Sequence, residues 1–142
     1  MDNLMKIDGC KLTPLRIIHG EKGDVMHAMK YSDEGFSAFG EAYFSSVKKG
    51  EAKGWKRHLR MTLNLVVPVG KIRFLLHDDR PESPTHGTVD EVTLSPENYQ
   101  RLTLPPGIWL SFEGLADGLN LLLNIADMPH EAAEVEARPP GS

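Results

Sequence analysis

Apolar and polar residues alternate along most of the central part of the chain. In residues 60–70, Met61, Leu63, Leu65 and Val67 fall on one side of an extended backbone. Gly and Pro turns separate this stretch from further alternating segments, which read KIRFLLHD, TVDEVTLS, QRLTLPPG, IWLSFEGL and GLNLLLNIA. Short strands with turn residues between them are typical of an antiparallel sandwich or barrel. No segment sustains an apolar repeat of 3.6 residues, so we predict an all-β domain.

Polar residues lie opposite the aliphatic residues of these predicted strands. They are Arg60, Asn64, Arg73, Asn120 and Asn124. In an open sandwich this face meets water, whereas in a barrel it can line a polar pocket. The alternation is compatible with both arrangements.

The length of 142 residues and the formal net charge of -4 limit the classes of function. The chain is long enough for one domain with its own core. An acidic chain is a poor general nucleic-acid binder, and the longest apolar runs are too short to cross a bilayer. The N-terminus lacks a signal-peptide pattern. We therefore expect a cytoplasmic protein that binds neither nucleic acid nor membranes.

The domain boundaries follow from where the alternation ends. We predict a single domain over residues 1–130, beginning with a short irregular N-terminal extension. Residues 131–142 are acidic and end in prolines, and we expect this tail to be frayed.

A basic cluster, KKGEAKGWKRH, occupies residues 48–58 of this acidic chain. It could be a solvated turn between strands. It could also be one wall of an anion-binding pocket, with His58 as a group that exchanges protons near neutral pH.

A longer motif gives the chain a resemblance. The segment DDRPESPTHGTVDEVTLSPENYQRLTLPPG resembles the signature of the dTDP-4-dehydrorhamnose 3,5-epimerase family, small cupin enzymes of nucleotide-sugar biosynthesis. The matching residues are Asp78, Arg80, Ser83, Pro84, Thr85, Gly87, Leu94, Ser95, Glu97, Asn98, Pro105, Pro106 and Gly107. The resemblance covers roughly residues 12–130 and implies a cupin-type double-stranded β-helix, a jelly-roll barrel that is usually dimeric in this family. Most of the shared residues form turns, so they report on the fold more than on the chemistry.

The family's catalytic positions are substituted in this chain. The resemblance implies that the catalytic base, a histidine, belongs at the position of Lys56, and that a second histidine belongs at Leu110. It implies that the catalytic acid, a tyrosine, belongs at the position of Met128. Because a methionine cannot donate a proton, the usual mechanism is not supported.

Lys56 and His58 are the candidate catalytic residues. Lys56 could be a base if burial lowers its pKa, a cation that holds a phosphate or enolate oxygen, or a solvated lysine. GWKRH also weakly resembles the paired histidines of cupin sugar 3,4-ketoisomerases, in which His58 would be the second of the pair. The alternative for His58 is a structural hydrogen bond to a backbone carbonyl.

The candidate ligand-binding residues are polar or basic and lie in the N-terminal part of the resemblance, in the basic cluster or on the polar strand face. Lys22 stands where the family has an arginine that grips the diphosphate, and His27 where it has a glutamate. The full set is Lys22, His27, Lys53, Arg60, Asn64, Arg73 and Asn124. The substitutions argue against a thymidine-linked ligand more than against an anionic sugar.

No metal or other cofactor is expected. A metal-binding cupin needs a His-x-His pair followed by a glutamate, and residues 58–67 hold one histidine and no carboxylate. Cys10 is the only cysteine, and we interpret it as a small buried residue and not a nucleophile.

Three functions compete. The first is a sugar epimerase or isomerase that acts on a nucleotide-linked keto-sugar in cell-surface polysaccharide biosynthesis. The second is a catalytically lapsed cupin that binds a sugar nucleotide as a carrier or regulator. The third is a dimeric β scaffold whose pocket is filled by side chains.

Overall fold

The computed structural model describes residues 5–138, and their regular structure is almost entirely β strands. Residues 1–4 of the predicted extension and 139–142 of the predicted tail lie outside the described residues. The strands are β1 (Lys11–Pro14), β2 (Ile17–Ile18), β3 (Val25–Met26), β4 (Glu41–Ser46), β5 (Ala52–His58), β6 (Leu63–Val69), β7 (Ile72–Asp78), β8 (Val89–Leu94), β9 (Gln100–Leu104), β10 (Ile108–Gly114), β11 (Leu121–Ala126) and β12 (Val135–Ala137). A single turn of 3₁₀ helix, Ala132–Glu134, precedes β12.

Two five-stranded sheets make up the body of the fold. The first sheet has the order β1-β9-β6-β11-β4 and the second has the order β12-β5-β10-β7-β8. The strand pairs within both sheets are antiparallel, and β2 and β3 form a separate two-stranded hairpin. Buried aliphatic residues of both sheets form one core cluster between them. The predicted all-β architecture is confirmed.

The alternation of apolar and polar residues correctly predicts which face of β7 packs into the core. Ile72, Phe74 and Leu76 are fully buried, while Arg73 lies on the outer side with its guanidinium near the carboxylates of Glu91 and Glu113. Since successive side chains of a strand point to opposite faces, one strand orientation accounts for the whole pattern.

Strand β6 is buried on both faces, which the polar-face interpretation did not foresee. Asn64 is 4% exposed, and its Nδ2 donates a hydrogen bond to the carbonyl of Gly35. The covering segment, residues 28–36, is held by Arg101 of β9, whose guanidinium donates to the carbonyls of Ala28 and Glu34. The outer face of β6 at Asn64 is therefore neither solvated nor a pocket wall, because the N-terminal part of the chain packs over it.

The C-terminal segment packs on the second sheet as far as the structure describes it. Strand β12 pairs with β5, so that Val135 lies opposite His58 and Ala137 lies opposite Lys56. Glu134 is 2% exposed. The prediction of a frayed tail from residue 131 is therefore wrong for residues 131–138, because the strand pairing and the buried carboxylate hold this segment in place.

The motif that carries the resemblance forms a hydrogen-bonded network at one end of the fold. The buried carboxylate of Asp78 accepts hydrogen bonds from the side chains of Arg80, Ser83 and Thr85. Arg80 also donates to the backbone carbonyl of Asp8, which ties the N-terminal segment to this loop. The motif therefore has a structural role here.

Among the described residues there is no helix with the length and apolarity needed to span a membrane.

Candidate active site

A cavity of about 190 Å³ lies between the two sheets. Its inner part is apolar and its outer part is polar. The apolar lining comes from Met61, Leu63, Leu65, Leu104, Pro105, Ile108, Leu110, Phe112 and Leu122, and the remaining lining residues are Tyr43, Ser45, Lys53, Gly54, Lys56, His58 and Asn124. The apolar side chains leave the space open, so the cavity is not filled by the chain itself.

Strand β5 forms one wall of the cavity. Lys53, Gly54, Lys56 and His58 line it, whereas Trp55 and Arg57 do not. Gly54 has a positive φ of 114°, and a Cβ built there would lie 2.6 Å from the carbonyl oxygen of Leu110. Only glycine allows β5 to approach β10 this closely. The basic cluster at residues 48–58 is therefore mostly a strand, and part of it is a cavity wall.

His58 forms a pair with a carboxylate. Its Nδ1 lies 2.7 Å from Oε1 of Glu134, and the side chains are 15% and 0% exposed. The other carboxylate oxygen of Glu134 accepts the backbone N–H groups of Arg60 and Met61, at 2.9 and 2.8 Å. The carboxylate is thus fixed on both oxygens, and it fixes the imidazole ring in turn.

The charge state of Glu134 follows from these contacts. Burial alone would raise the pKa of the carboxyl, but the hydrogen bonds from His58 and from the Arg60 and Met61 amides outweigh it, so the pKa lies below its usual range. An ionised Glu134 accepts a hydrogen bond from the Nδ1–H group of His58. The tautomer that this selects carries its lone pair on Nε2, the ring nitrogen that does not contact Glu134.

Two tryptophans and an arginine hold the segment that carries Glu134. The Arg138 guanidinium lies 4.1 Å from the ring centroid of Trp109 and 5.8 Å from that of Trp55. The backbone N–H and carbonyl groups of Arg138 pair with those of Trp55. Cation–π contacts and strand pairing together fix the C-terminal segment against β5 and β10.

The facing wall belongs to the first sheet. Tyr43 of β4 and Asn124 of β11 are register partners, and Asn124 Nδ2 donates a 2.9 Å hydrogen bond to the Tyr43 hydroxyl. Burial raises the pKa of Tyr43, the Asn124 hydrogen bond opposes this, and the nearby charge of Glu41 adds to the rise. Oδ1 of Asn124 is buried and has no hydrogen-bond partner among the described residues. An acceptor left without a partner in a cavity wall suits a ligand hydroxyl group.

The two cavity lysines differ in their contacts. Lys53 Nζ donates to the hydroxyl of Ser45 across the cavity mouth, at 3.0 Å. Lys56 is exposed at the mouth, and its ammonium group makes no hydrogen bond or ion pair with any residue between 5 and 138. Because an exposed ammonium stays hydrated, this position favours the role of a fixed cation over that of a base.

Several predicted residues do not line the cavity. Arg60 pairs with Glu131 at the surface, Arg73 faces outward, and Asn64 is engaged by Arg101 and Thr103 on the outer side of β6. None of the three lines this cavity, because Arg60 lies in the bend between β5 and β6 and the other two side chains are on the outer faces of their sheets. Their role in ligand binding stays a prediction.

Lys22 and His27 are also outside the cavity. Lys22 lies in the turn between β2 and β3 and His27 directly follows β3, where its backbone N–H donates to Arg16. The cavity of this chain brings together only four of the predicted residues, Lys53, Lys56, His58 and Asn124.

Glu134 and Tyr43 are the residues to which the sequence assigned no role in the site. Glu134 lies in the acidic segment that was expected to fray, and no spacing links it to His58. Tyr43 precedes the basic cluster by several residues on another strand. No local pattern points to Tyr43 either, because its contact with Asn124 joins two strands that are far apart in the chain.

The remaining candidates are consistent with structural roles. Cys10 is 3% exposed, and burial raises the pKa of its thiol to about 12, which opposes a nucleophilic role. Within residues 5–138 no three His, Cys, Asp or Glu side chains group as metal ligands would. Leu110 lines the cavity floor and Met128 packs against the core.

Known proteins resemble this chain in sequence and in structure. No family model matches it. The probable low-salt glycan biosynthesis epimerase Agl13 of Haloferax volcanii is 33% identical over 84 residues, which make up 58% of this chain and 54% of that protein. The chain thus spans about half the length of this curated relative.

Two solved structures define the likeness of the fold. The dTDP sugar isomerase of Desulfovibrio desulfuricans G20 is 41% identical with a TM-score of 0.95, over 98% of this chain and 89% of that one. ChmJ, a 3'-monoepimerase of Streptomyces bikiniensis in complex with dTDP-quinovose, is 17% identical with a TM-score of 0.85, over 99% of this chain and 74% of that one. At this lower identity the second likeness shows the fold alone.

Proposed function

The chain belongs to the dTDP-4-dehydrorhamnose 3,5-epimerase family of cupin sugar-nucleotide epimerases and isomerases, and we propose that it is a sugar epimerase or isomerase acting on a nucleotide-linked keto-sugar. The resemblance drawn from residues 78–107 and the cupin-type double-stranded β-helix are confirmed. The observation that carries the proposed activity is the His58–Glu134 pair, whose imidazole lines the cavity.

His58 is the base in this proposal. Its Nε2 takes a proton from a carbon next to the ketone, the C–H electron pair moves into the new C–C double bond, and the carbonyl oxygen becomes an enolate oxygen. The imidazolium that forms is stabilised by ionised Glu134. Return of a proton to the same carbon completes an epimerisation. In an isomerisation the proton goes to the former carbonyl carbon, the enolate oxygen gains a proton and becomes a hydroxyl, and the hydroxyl on the first carbon loses its proton and becomes the new carbonyl.

The lysines supply positive charge at the mouth. Lys56 is a cation within the same cavity as His58, where it attracts an enolate oxygen or a phosphate. Lys53, held by Ser45, contributes a second positive charge. Lys22 and His27 remain candidate ligand contacts at a distance from this cavity.

The volume of the cavity limits which part of the ligand it can enclose. Its volume of about 190 Å³ is below the roughly 300–1,000 Å³ of pockets that enclose drug-sized ligands. We propose that the sugar ring occupies the cavity and the nucleotide lies outside it. The 41% identity to a dTDP sugar isomerase supports a dTDP-linked ligand. This revises the expectation, drawn from Lys22 and His27, that a thymidine nucleotide is disfavoured.

Proton exchange tests the activity. The protein is incubated in deuterium oxide with a dTDP-linked 4-keto-6-deoxyhexose, and NMR follows deuterium at the carbons next to the ketone. We expect exchange with the wild type, none with His58→Asn, and a loss of at least tenfold with Lys56→Met. A His19→Asn variant is the matched control, because His19 is exposed, pairs with Asp24 and does not line the cavity.

The same experiment separates the competing functions. Binding of the dTDP-sugar without deuterium exchange indicates a catalytically lapsed carrier or regulator. Absence of binding to dTDP-, UDP- and GDP-linked sugars contradicts both the enzyme and the carrier or regulator, and favours the dimeric β scaffold.

We also propose a homodimer that acts in the cytoplasm in cell-surface polysaccharide biosynthesis. The outer face of β4 and β11 carries Phe44, which is 64% exposed, beside its register partner Leu123. An apolar face of this kind suits a second copy of the chain. The glycan biosynthesis epimerase among the relatives supports the pathway. Sedimentation of the wild type and of Phe44→Lys tests the dimer, which we expect the variant to dissociate.

A further inference from the structure

Inversion at a carbon requires a second proton-transfer group. The proton leaves from one face of the sugar ring and another arrives on the opposite face. The titratable side chains in the lining are Tyr43, Lys53, Lys56 and His58. Lys53, Lys56 and His58 all belong to β5 of the second sheet, whereas Tyr43 is the one titratable lining residue of the first sheet within residues 5–138.

Building on the proposed function, we propose that Tyr43 is a second catalytic residue, which donates a proton to the enolate on the face opposite His58. The reaction of this chain is then an epimerisation. A transfer confined to β5 would return the proton to the face from which it left.

The arrangement of the sheets supports this assignment. Facing sheets pack roughly 10 Å apart, which leaves room for one sugar ring between side chains from the two walls. Tyr43 and His58 come from opposite walls of one cavity. A ring that lies between them has one group on each face.

Asn124 prepares the Tyr43 hydroxyl for donation. Because Asn124 Nδ2 is the donor in their 2.9 Å hydrogen bond, the hydrogen of the phenol is not used in this contact. Asn124 is 6% exposed, so its amide is held in place by packing. The phenolic hydrogen is left to point at a ligand, and Oδ1 of Asn124 is left to accept a sugar hydroxyl.

The transfer balances in protons and electrons. The O–H bond of Tyr43 breaks, a C–H bond forms at the enolate carbon, and the O–H electron pair stays on the phenolate oxygen, where the Asn124 N–H stabilises it. The raised pKa of Tyr43 keeps the phenol protonated at neutral pH. Since Tyr43 is 45% exposed, water at the mouth returns its proton and removes the one on His58.

The residue at the position where the family resemblance implies the catalytic acid cannot donate a proton in this chain. It is Met128, which packs against the core and has no proton to donate. Tyr43, on a different part of the fold, therefore takes the role of catalytic acid that residue 128 cannot have in this chain.

The test compares two rates in the same tube. Deuterium wash-in to the unreacted dTDP-linked keto-sugar reports proton removal by His58, and formation of the epimer reports delivery to the opposite face. We expect Tyr43→Phe to lower epimer formation by about 10²-fold or more, while wash-in stays within a few fold of the wild type. Tyr31→Phe, at a residue 85% exposed outside the cavity, is the matched control.

Each other outcome decides against the inference. Equal epimer formation in Tyr43→Phe overturns it, and so does equal loss of wash-in and epimer formation in a variant that circular dichroism shows to be folded. Exchange by the wild type without any epimer also overturns it and leaves the proposed function standing as an isomerase. If Tyr43→Phe does not fold, the same ratio measured in Asn124→Ala decides the question. No exchange by the wild type removes the proposed function itself.

Discussion

His58 Nδ1 lies 2.7 Å from Oε1 of Glu134, although 76 positions separate the two residues in the chain. The contact exists because β12 pairs with β5 and carries the preceding 3₁₀ turn to the end of that strand. A carboxylate that is buried and fixed by two backbone amides can orient an imidazole and stabilise its charged form. Four predictions follow from this contact and from three others like it.

Removing the charge of Glu134 is expected to slow proton exchange. Glu134→Gln keeps the shape of the side chain but cannot stabilise the imidazolium, so we expect a decrease of about 10–100-fold in the deuterium exchange rate. Glu131→Gln removes a carboxylate that pairs with Arg60 at the surface, and should leave the rate unchanged. Exchange by Glu134→Gln at the wild-type rate would show that the pair is structural only.

The hydrogen-bond network at Asp78 is expected to make the folded state less stable at low pH. Burial alone would raise the pKa of Asp78, but hydrogen bonds from Arg80, Ser83 and Thr85 lower it well below its usual range. Because the folded pKa lies below the unfolded one, the carboxylate contributes stability at pH values above the unfolded pKa, and this is lost as pH falls through the folded pKa.

Urea titrations between pH 7 and pH 3 check this dependence. Asp78→Asn should cost about 3 kcal/mol at pH 7, and its stability should fall less steeply with acid than that of the wild type. Glu82→Gln, in the same loop and exposed, is the control. Parallel curves for Asp78→Asn and the wild type would contradict the assignment.

Arg138 is expected to hold the C-terminal segment in place. Arg138→Ala removes the contacts with Trp55 and Trp109, which should cost about 1 kcal/mol. Hydrogen exchange of the amides in residues 131–137 should become faster, and substrate exchange by His58 should slow because Glu134 is held less firmly. Arg138→Lys should restore part of both, since it keeps the charge without the planar group. Unchanged amide protection in Arg138→Ala would argue against this role.

Arg101 is expected to hold the N-terminal segment over β6. Its guanidinium is fully buried and contacts the Asp33 carboxylate and the carbonyls of Ala28 and Glu34. Arg101→Met leaves these acceptors unpaired and should cost about 3–5 kcal/mol. Limited proteolysis should then cut within residues 28–36. Arg73→Met, which removes only exposed ion pairs, should cost less than about 1 kcal/mol, and equal costs for the two variants would contradict the prediction.

The sequence alone determined the strands and one wall of the site. Side chains on a strand alternate by geometry, so the spacing of Ile72, Phe74 and Leu76 predicted the core face of β7. The same geometry puts Lys56 and His58 on one face of β5, as their spacing indicates. The barrel itself was implied by the resemblance of the motif to a known family, because the alternation alone is compatible with a sandwich or a barrel.

Only the tertiary structure decided which polar residues meet the cavity and which partner His58 has. Asn64 and Asn124 both lie opposite aliphatic residues in the sequence, yet Asn64 is covered by residues 28–36 and Asn124 faces the ligand space. A period of two separates the faces of a strand but does not say which face turns inward, since that depends on what packs over each sheet. Glu134 reaches His58 through a pairing between distant strands, and such a contact leaves no local pattern in the chain.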